Sequence, residues 1–395
     1  MDQVLLDERK NRQEKFFLGL YGVNLVAWFI NYSMLNTMIP ELAKYMAVFN
    51  VLAFFVYVFM GFQIDEKVLW LCSLFLFCTL VSYYTSRDVV IIGIGILIFT
   101  SQGIKRKKIL QEYVVISIVM TSAIFILSQV GIIQDLVFIR GGVERHAFGS
   151  IQPTILSAQL FSLCVAVACL KYKTIKYFEI ISMVVLATVC YWYLNARNDT
   201  VFILLIVITL LLGKWKVKIR FTVLRDLMVF LMPILSLGVY SLAVNYDASN
   251  TIMSRLNDIL SSRLQLSNIA IFRYPIKLFG QKTIENGNGG GTQIATNNYF
   301  FIDSSYLRLL LRYGVVLFVF VLTLYMITMA ILLMKNEYTI FVLLVIMSIQ
   351  VMWEQSLMSV CNVFIFYMLM DTDDYHSLYR IVKYRSQNFF RFIEE

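Results

Sequence analysis

Runs of about 20 apolar residues, each long enough to cross a bilayer, recur from residue 16 to residue 371 of this 395-residue chain. No arrangement in water buries that many. The runs lie near 16–35, 45–64, 68–85, 89–104, 113–131, 154–170, 177–194, 200–213, 226–244, 305–334, 338–355 and 356–371. The reading is an all-α polytopic membrane protein of about twelve transmembrane helices, a single integral membrane domain over 1–395. Only 15% of residues are charged and the mean hydropathy is +0.73, against roughly a quarter charged in a soluble domain. The first run is too long for a signal peptide and no A-x-A-like site follows it, so it reads as an uncleaved span.

Lysine and arginine set the orientation. With the amino terminus inside, 22 of the 34 basic residues fall on the inner segments, as short basic loops that stay cytoplasmic require. Tails 1–15 and 372–395 are then cytoplasmic. External loops fall near 132–153 and 245–304, the second being the one large external loop. The +9 net charge thus reports membrane topology and does not call for nucleic acid. The six cysteines lie inside apolar runs without metal-like spacing and read as small buried hydrophobes. Gly287 to Gly291 lacks a following Lys-Ser/Thr and reads as a turn, not a phosphate loop.

Most outward basic residues are arginines: Arg87, Arg140, Arg145, Arg197, Arg255, Arg263, Arg273, Arg308 and Arg312. The inside bias works against them, and arginine grips phosphate oxygens bidentately. A diphosphate at the outer leaflet fits them; anchoring of span ends at headgroups is the alternative for Arg87, Arg308 and Arg312. A helix from about Ile252 to Leu266 would set Arg263 within its apolar face, where a charge must snorkel or meet a buried partner. The run 200–213 covers only about 21 Å, so a full span takes in Asn195 to Asp199 and sets Arg197 below the surface. By the same reasoning Glu354 is drawn into the last span. Ionisable residues in such places are functional candidates, or else structural pairs such as Arg197 with Asp199. His146 is the only outward histidine, a neutral donor or acceptor or an ordinary loop residue; one histidine without clustered partners makes no metal site.

Five stretches in this order carry a resemblance: Arg140-Gly-Gly-Val-Glu-Arg145-His146-Ala-Phe-Gly149 running to Pro153; Asn195-Ala-Arg197-Asn-Asp199; Ser262-Arg263-Leu264; Tyr274-Pro-Ile-Lys-Leu-Phe-Gly280-Gln281; and Asp303-Ser-Ser-Tyr306 to Tyr313-Gly314, with Glu354 after the next span. The chain resembles the Wzy-type polysaccharide (O-antigen or capsule) polymerases of the O-antigen ligase/polymerase superfamily. It departs from them at Ser304, where asparagine is usual, and at Gln152-Pro153-Thr154. The resemblance implies a GT-C-like bundle in the cytoplasmic (inner) membrane. It implies metal-independent glycosyl transfer without a cofactor, joining repeat units carried on undecaprenyl diphosphate at the outer face. The partners it implies are those lipid-linked glycans, membrane lipids, a chain-length regulator and a flippase.

Such a transfer needs cations at the departing diphosphate, for which Arg140, Arg145, Arg197, Arg263 and Arg273 are candidates. It also needs a base near the acceptor hydroxyl, which Glu354, Asp303 or His146 could be. Asp303 could instead cap the helix that follows it. Tyr299, Phe300 and Tyr306 could stack on sugars. A lipid-linked glycan ligase would share all this except the acceptor. A flippase or transporter would favour midplane charges and broken helices.

Overall fold

The structure is a computed structural model that describes residues 2–62, 66–140, 142–215, 222–287 and 299–362. The carboxyl-terminal tail, the second half of the expected last span, and the turn beyond Gly287 lie outside the described residues. So do Lys216, Lys218 and Arg220.

The chain is mostly helical. In order the helices are α1 (Asp2–Asn31), α2 (Leu42–Phe59), α3 (Glu66–Ser86), α4 (Val89–Thr100), α5 (Arg106–Gln129), α6 (Pro153–Lys171), α7 (Tyr177–Trp192), α8 (Arg197–Lys214), α9 (Thr222–Leu227), α10 (Leu231–Val244), α11 (Thr251–Ile259), α12 (Arg263–Arg273), α13 (Ser305–Arg308), α14 (Val315–Met334) and α15 (Tyr338–Gln350). Six stretches, Leu42–Phe59, Leu69–Ser86, Arg106–Gln129, Pro153–Lys171, Arg225–Val244 and Val315–Met334, are long and apolar enough to cross a membrane. That fits an all-α, multi-pass membrane protein. Of these six, α6 is the most buried, flanked by α5 and α8. Helix α4 is short but buried from Ile91 to Thr100, enclosed by α2 and α3. One polar pair inside the bundle satisfies itself: the Asn24 and Asn50 amides exchange hydrogen bonds at 2.8 Å, as expected where water is absent.

Several expected elements are drawn differently. The run 305–334 is not one helix: α13 passes into a π-helical turn, Leu309–Tyr313, and α14 starts only after Gly314. Helix α15 stops at Gln350, and 351–362 is a chain of turns instead of span. Pro233 lies within the apolar stretch Arg225–Val244. It falls in the first turn of α10, after a 3-10 segment (Met228–Phe230), where its missing N–H has no partner to lose. The expected 252–266 helix is split into α11 and α12, because Ser261 and Ser262 both take left-handed backbone conformations (φ 60° and 66°). In the loop 132–153, two strands, β1 (Val137–Arg140) and β2 (Val143–His146), pair antiparallel with Val137 opposite His146.

The bundle has two unlike ends. At one, the long loops meet: Met34 N–H bonds to Gly149 O (2.8 Å), His146 N–H to Tyr193 O (3.1 Å), and Gln281 N–H to Arg312 O (3.0 Å). At the other, Gln13 reaches Gln102 O (3.0 Å), Lys108 pairs with Glu14, and Lys214 reaches Ile175 O (2.8 Å).

Candidate functional site

The loop end holds a cluster built from three distant parts of the chain. Helix α12 begins abruptly after the left-handed pair Ser261–Ser262. Its first amides would be left without partners, but the Asn257 side chain, projecting from α11, accepts the Gln265 N–H at 2.9 Å. This turn fixes Arg263 as the first residue of α12. Its guanidinium donates to Glu354 Oε1 at 2.9 Å and to the Trp353 carbonyl, and lies 3.8 Å from Asp303 Oδ2. Arg263 therefore meets buried partners, though from a helix start and not from the apolar face of a longer helix.

The opposite wall is held by α13. Ser305 N–H donates to Val351 O (3.1 Å), Ser305 Oγ to the Glu354 carbonyl, and Leu357 N–H to Ser305 Oγ (3.2 Å). One serine thus pins the irregular segment that carries Glu354. Ser304, not Asp303, caps α13, accepting the Leu307 N–H, which leaves the Asp303 carboxylate to face Arg263. Burial pushes Asp303 above the usual carboxylate range, and the Arg263 charge opposes the rise. For Arg263, burial disfavours the charge, yet Glu354 and Asp303 hold it above its ordinary range. Deeper still, Asp199 is 2% exposed. It accepts from Ser157 Oγ and from Gln350 Nε2 (3.1 Å) and does not pair with Arg197.

A second cluster adjoins the first. Glu285 accepts from Arg308 (2.6 Å), from Arg312 (2.9 Å) and from the Ile302 N–H (2.9 Å). Arg312 also meets Asp88 at 3.0 Å, and Asp88 accepts from the Tyr313 hydroxyl at 2.7 Å. Two glycines let this happen. Gly280 (φ 79°) lies against the backbone of Arg312, and Gly314 (φ 96°) against that of Gly280; a Cβ on either would meet a backbone atom at 2.1–2.2 Å. The loop 277–281 docks there through Val315 N–H to Lys277 O (3.1 Å) and Val316 N–H to Leu278 O (3.0 Å). Arg308 and Arg312 are thus ion-paired within the protein and are not headgroup anchors.

Of the residues singled out in the sequence, Arg263, Asp303 and Glu354 come together. His146 and Arg145 have other contacts: His146 Nδ1 lies 2.7 Å from Asp135, and buried Arg145 donates through Nε to Leu194 O (2.8 Å). Arg140 ends β1, and its side chain lies outside the described parts. Arg197 opens α8 and is exposed, contrary to the expected sunken position, because α8 takes it in only as its first residue. Arg273 is exposed and lies 4.3 Å over the Phe300 ring. Tyr306 is 1% exposed with its hydroxyl donating to Ser348 O at 2.7 Å. No face of it is free for a sugar, so its expected stacking role does not fit. Phe300 is likewise buried, while Tyr299 is exposed. Sequence reasoning missed Glu285, Asp88, Asp135 and the buried partners of Asp199. The acidic residues of the outer loops, Asp88, Asp135 and Glu285, were the available signal.

Held between one guanidinium and a clamped backbone, Glu354 can accept a proton at a fixed position, which is the geometry a general base needs. Around Arg263 the carboxylates outnumber the cation. No family model, characterised protein or solved structure matches the chain.

Proposed function

We propose that this protein is a membrane glycosyltransferase that polymerises undecaprenyl-diphosphate-linked oligosaccharide repeat units, on a GT-C-like bundle of about twelve spans. The observation that carries the reading is the largely buried Arg263–Glu354–Asp303 cluster, at the end of the bundle that carries both long loops. Orientation follows from the opposite end. It bears Lys105 to Lys108, Lys171, Lys173 and Lys214, and short basic segments stay cytoplasmic. The cluster then faces outward, in the cytoplasmic membrane, with both termini inside.

In this reading an acceptor sugar hydroxyl attacks the anomeric carbon of the growing glycan. Its proton passes to Glu354, the new glycosidic bond forms, and the bond to the lipid diphosphate breaks with its electron pair leaving on the diphosphate. Arg263 is a positioning residue. Already neutralised by two carboxylates, it aims Glu354 and does not grip phosphate. The exposed Arg197 and Arg273 are free to meet the diphosphate, where preplaced cations favour its departure. A transporter is the second reading, favoured by the breaks at Leu309–Tyr313 and after Gln350, since irregular backbone at depth lines substrate paths in carriers.

Purified protein in nanodiscs, given lipid-linked repeat units, separates these. A ladder of longer glycans supports the polymerase. Transfer to a different acceptor makes it a ligase of the same chemistry, and movement of intact lipid-linked units without any new bond supports the transporter and sinks the proposal.

A further inference from the structure

Beside the Arg263 cluster, and sharing Glu354 with it, lies a cavity to which the reaction above assigns no occupant. The end of α1, the starts of α4 and α6, the π-helical turn and the segment 354–361 enclose it. Trp28, Tyr32, Asp88, Arg308, Glu354 and Ser356 stand on its wall. Three features limit what it can hold. First, the Trp28 and Tyr32 rings sit 4.9 Å apart at 43°, a two-ring platform at one side. Second, Trp28 Nε1 and Ser356 Oγ are buried with no hydrogen-bond partner among the described residues. Buried donors left that way are costly, so an apolar occupant such as a lipid tail would leave the cost in place. Third, the charges are two carboxylates to one guanidinium, and the guanidinium of Arg308 is already taken by Glu285. Glu354 and Asp88 are matched in turn by Arg263 and Arg312, so the wall offers a diphosphate no free cation.

We propose that this cavity is a binding subsite for the ring of a neutral sugar. A pyranose combines what the wall asks for: a C–H face to lie on aromatic rings, and hydroxyl groups that donate to a carboxylate and can accept from Trp28 Nε1 and Ser356 Oγ once a bound ring turns these occluded donors toward it. Glu354 belongs both to this wall and to the Arg263 cluster. A hydroxyl bonded to it would therefore be the one positioned to lose its proton. Naming the occupant the acceptor sugar rests on the proposed glycosyltransferase reading; the sugar site itself does not.

The test is saturation-transfer NMR on the full chain in lipid nanodiscs, free of glycoside detergent. The probes are the methyl pyranosides of glucose, galactose, mannose, rhamnose and N-acetylglucosamine. At least one should receive saturation at its ring protons. Ser356→Ala and Trp28→Ala should each weaken that binding by about fivefold or more, the loss expected for one hydrogen bond. Trp28→Phe, which keeps a ring and loses the donor, should fall between wild type and Trp28→Ala. Ser356→Ala keeps the test open if Trp28→Ala does not fold. Binding of none of the five sugars, binding indifferent to both variants, or displacement by inorganic pyrophosphate would overturn the subsite. The glycan-ladder assay runs beside it. A ladder without sugar binding refutes the subsite alone, and sugar binding without new glycosidic bonds refutes the glycosyltransferase reading alone.

Discussion

The two ends of the bundle both pair opposite charges, and they do so in opposite ways. At the basic end the pairs that join separate segments are made by surface lysines: Lys108 with Glu14, Lys171 with Glu179 and Lys173 with Glu337 at 3.9 Å, their side chains 46–71% exposed. The local pairs Arg12–Glu8 and Arg225–Asp226 lie at the surface too. At the loop end the partners are arginines only 11–18% exposed, and each meets more than one acceptor. A lysine presents a compact, strongly hydrated charge on a flexible stem, so it stays wet and its pairs are weak. A guanidinium spreads five donors in a plane and can satisfy several acceptors at once, so it tolerates burial. Burial also raises the stakes, because removing one partner strands the other. The largely buried charge pairs gather at the end where the candidate chemistry lies.

The largest break in this comparison is Arg263→Ala. It leaves Glu354 and Asp303 buried without their cation, a loss of about 3–5 kcal/mol for a buried pair. Unfolding in mixed micelles should show a clear fall in stability, and repeat units should accumulate on lipid without polymer. Adding Glu354→Gln removes one stranded charge and should recover part of the stability but no polymer. Equal stability for Arg263→Ala and wild type would mean the cluster is not as buried as described. Next comes Glu285→Gln, which loses charge-assisted bonds from Arg308 and Arg312 and should cost about 2 kcal/mol. Asp88 still holds Arg312, so Arg308 is the group left short. Restoring stability by the further change Arg308→Met would identify it.

How much of this was legible beforehand depends on the range of the interaction. The apolar runs report helices directly, because a lipid-exposed backbone must satisfy itself within each segment; most of α1–α10 and α14 appear near their expected positions. What failed were the breaks. Ser261 and Ser262 carry no strong turn signal, and the helix stop between them needs the Asn257 side chain to replace lost amide partners. The break at Gly314 depends on Gly280 arriving from more than thirty residues away. Arg263, Asp303 and Glu354 were each picked for local reasons, but nothing local said that they meet. Tyr306 failed because an aromatic residue at a span start looks interfacial until the packing of α15 behind it is known.

Those glycines give the third prediction. Gly314→Ala would place a methyl group 2.2 Å from the Gly280 nitrogen, and it would hold alanine in the left-handed region. The strain alone costs about 1–3 kcal/mol, and the displaced loop would pull Glu285 away from Arg308 and Arg312. Ala at Gly314 should therefore be non-additive with Glu285→Gln, since both undo the same contacts. An additive pair would mean that the loop can shift without moving Glu285.

The smallest effect belongs to the lysine end, and it tests the comparison most sharply because nearly nothing should happen. Lys108→Ala removes a pair with Glu14 that links α5 to α1 across 94 residues of sequence. A link of that span looks structural on paper. Both partners keep access to water, though, and an exposed pair contributes about 0.2–1 kcal/mol, less as salt rises. The variant should unfold within about 0.5 kcal/mol of wild type at physiological ionic strength, and the gap should close further in 0.5 M salt. Arg263→Ala should show no such salt dependence, since screening ions do not reach a buried pair. If Lys108→Ala proved as costly as Arg263→Ala, or if both losses faded together with salt, exposure would not be what distinguishes the two ends.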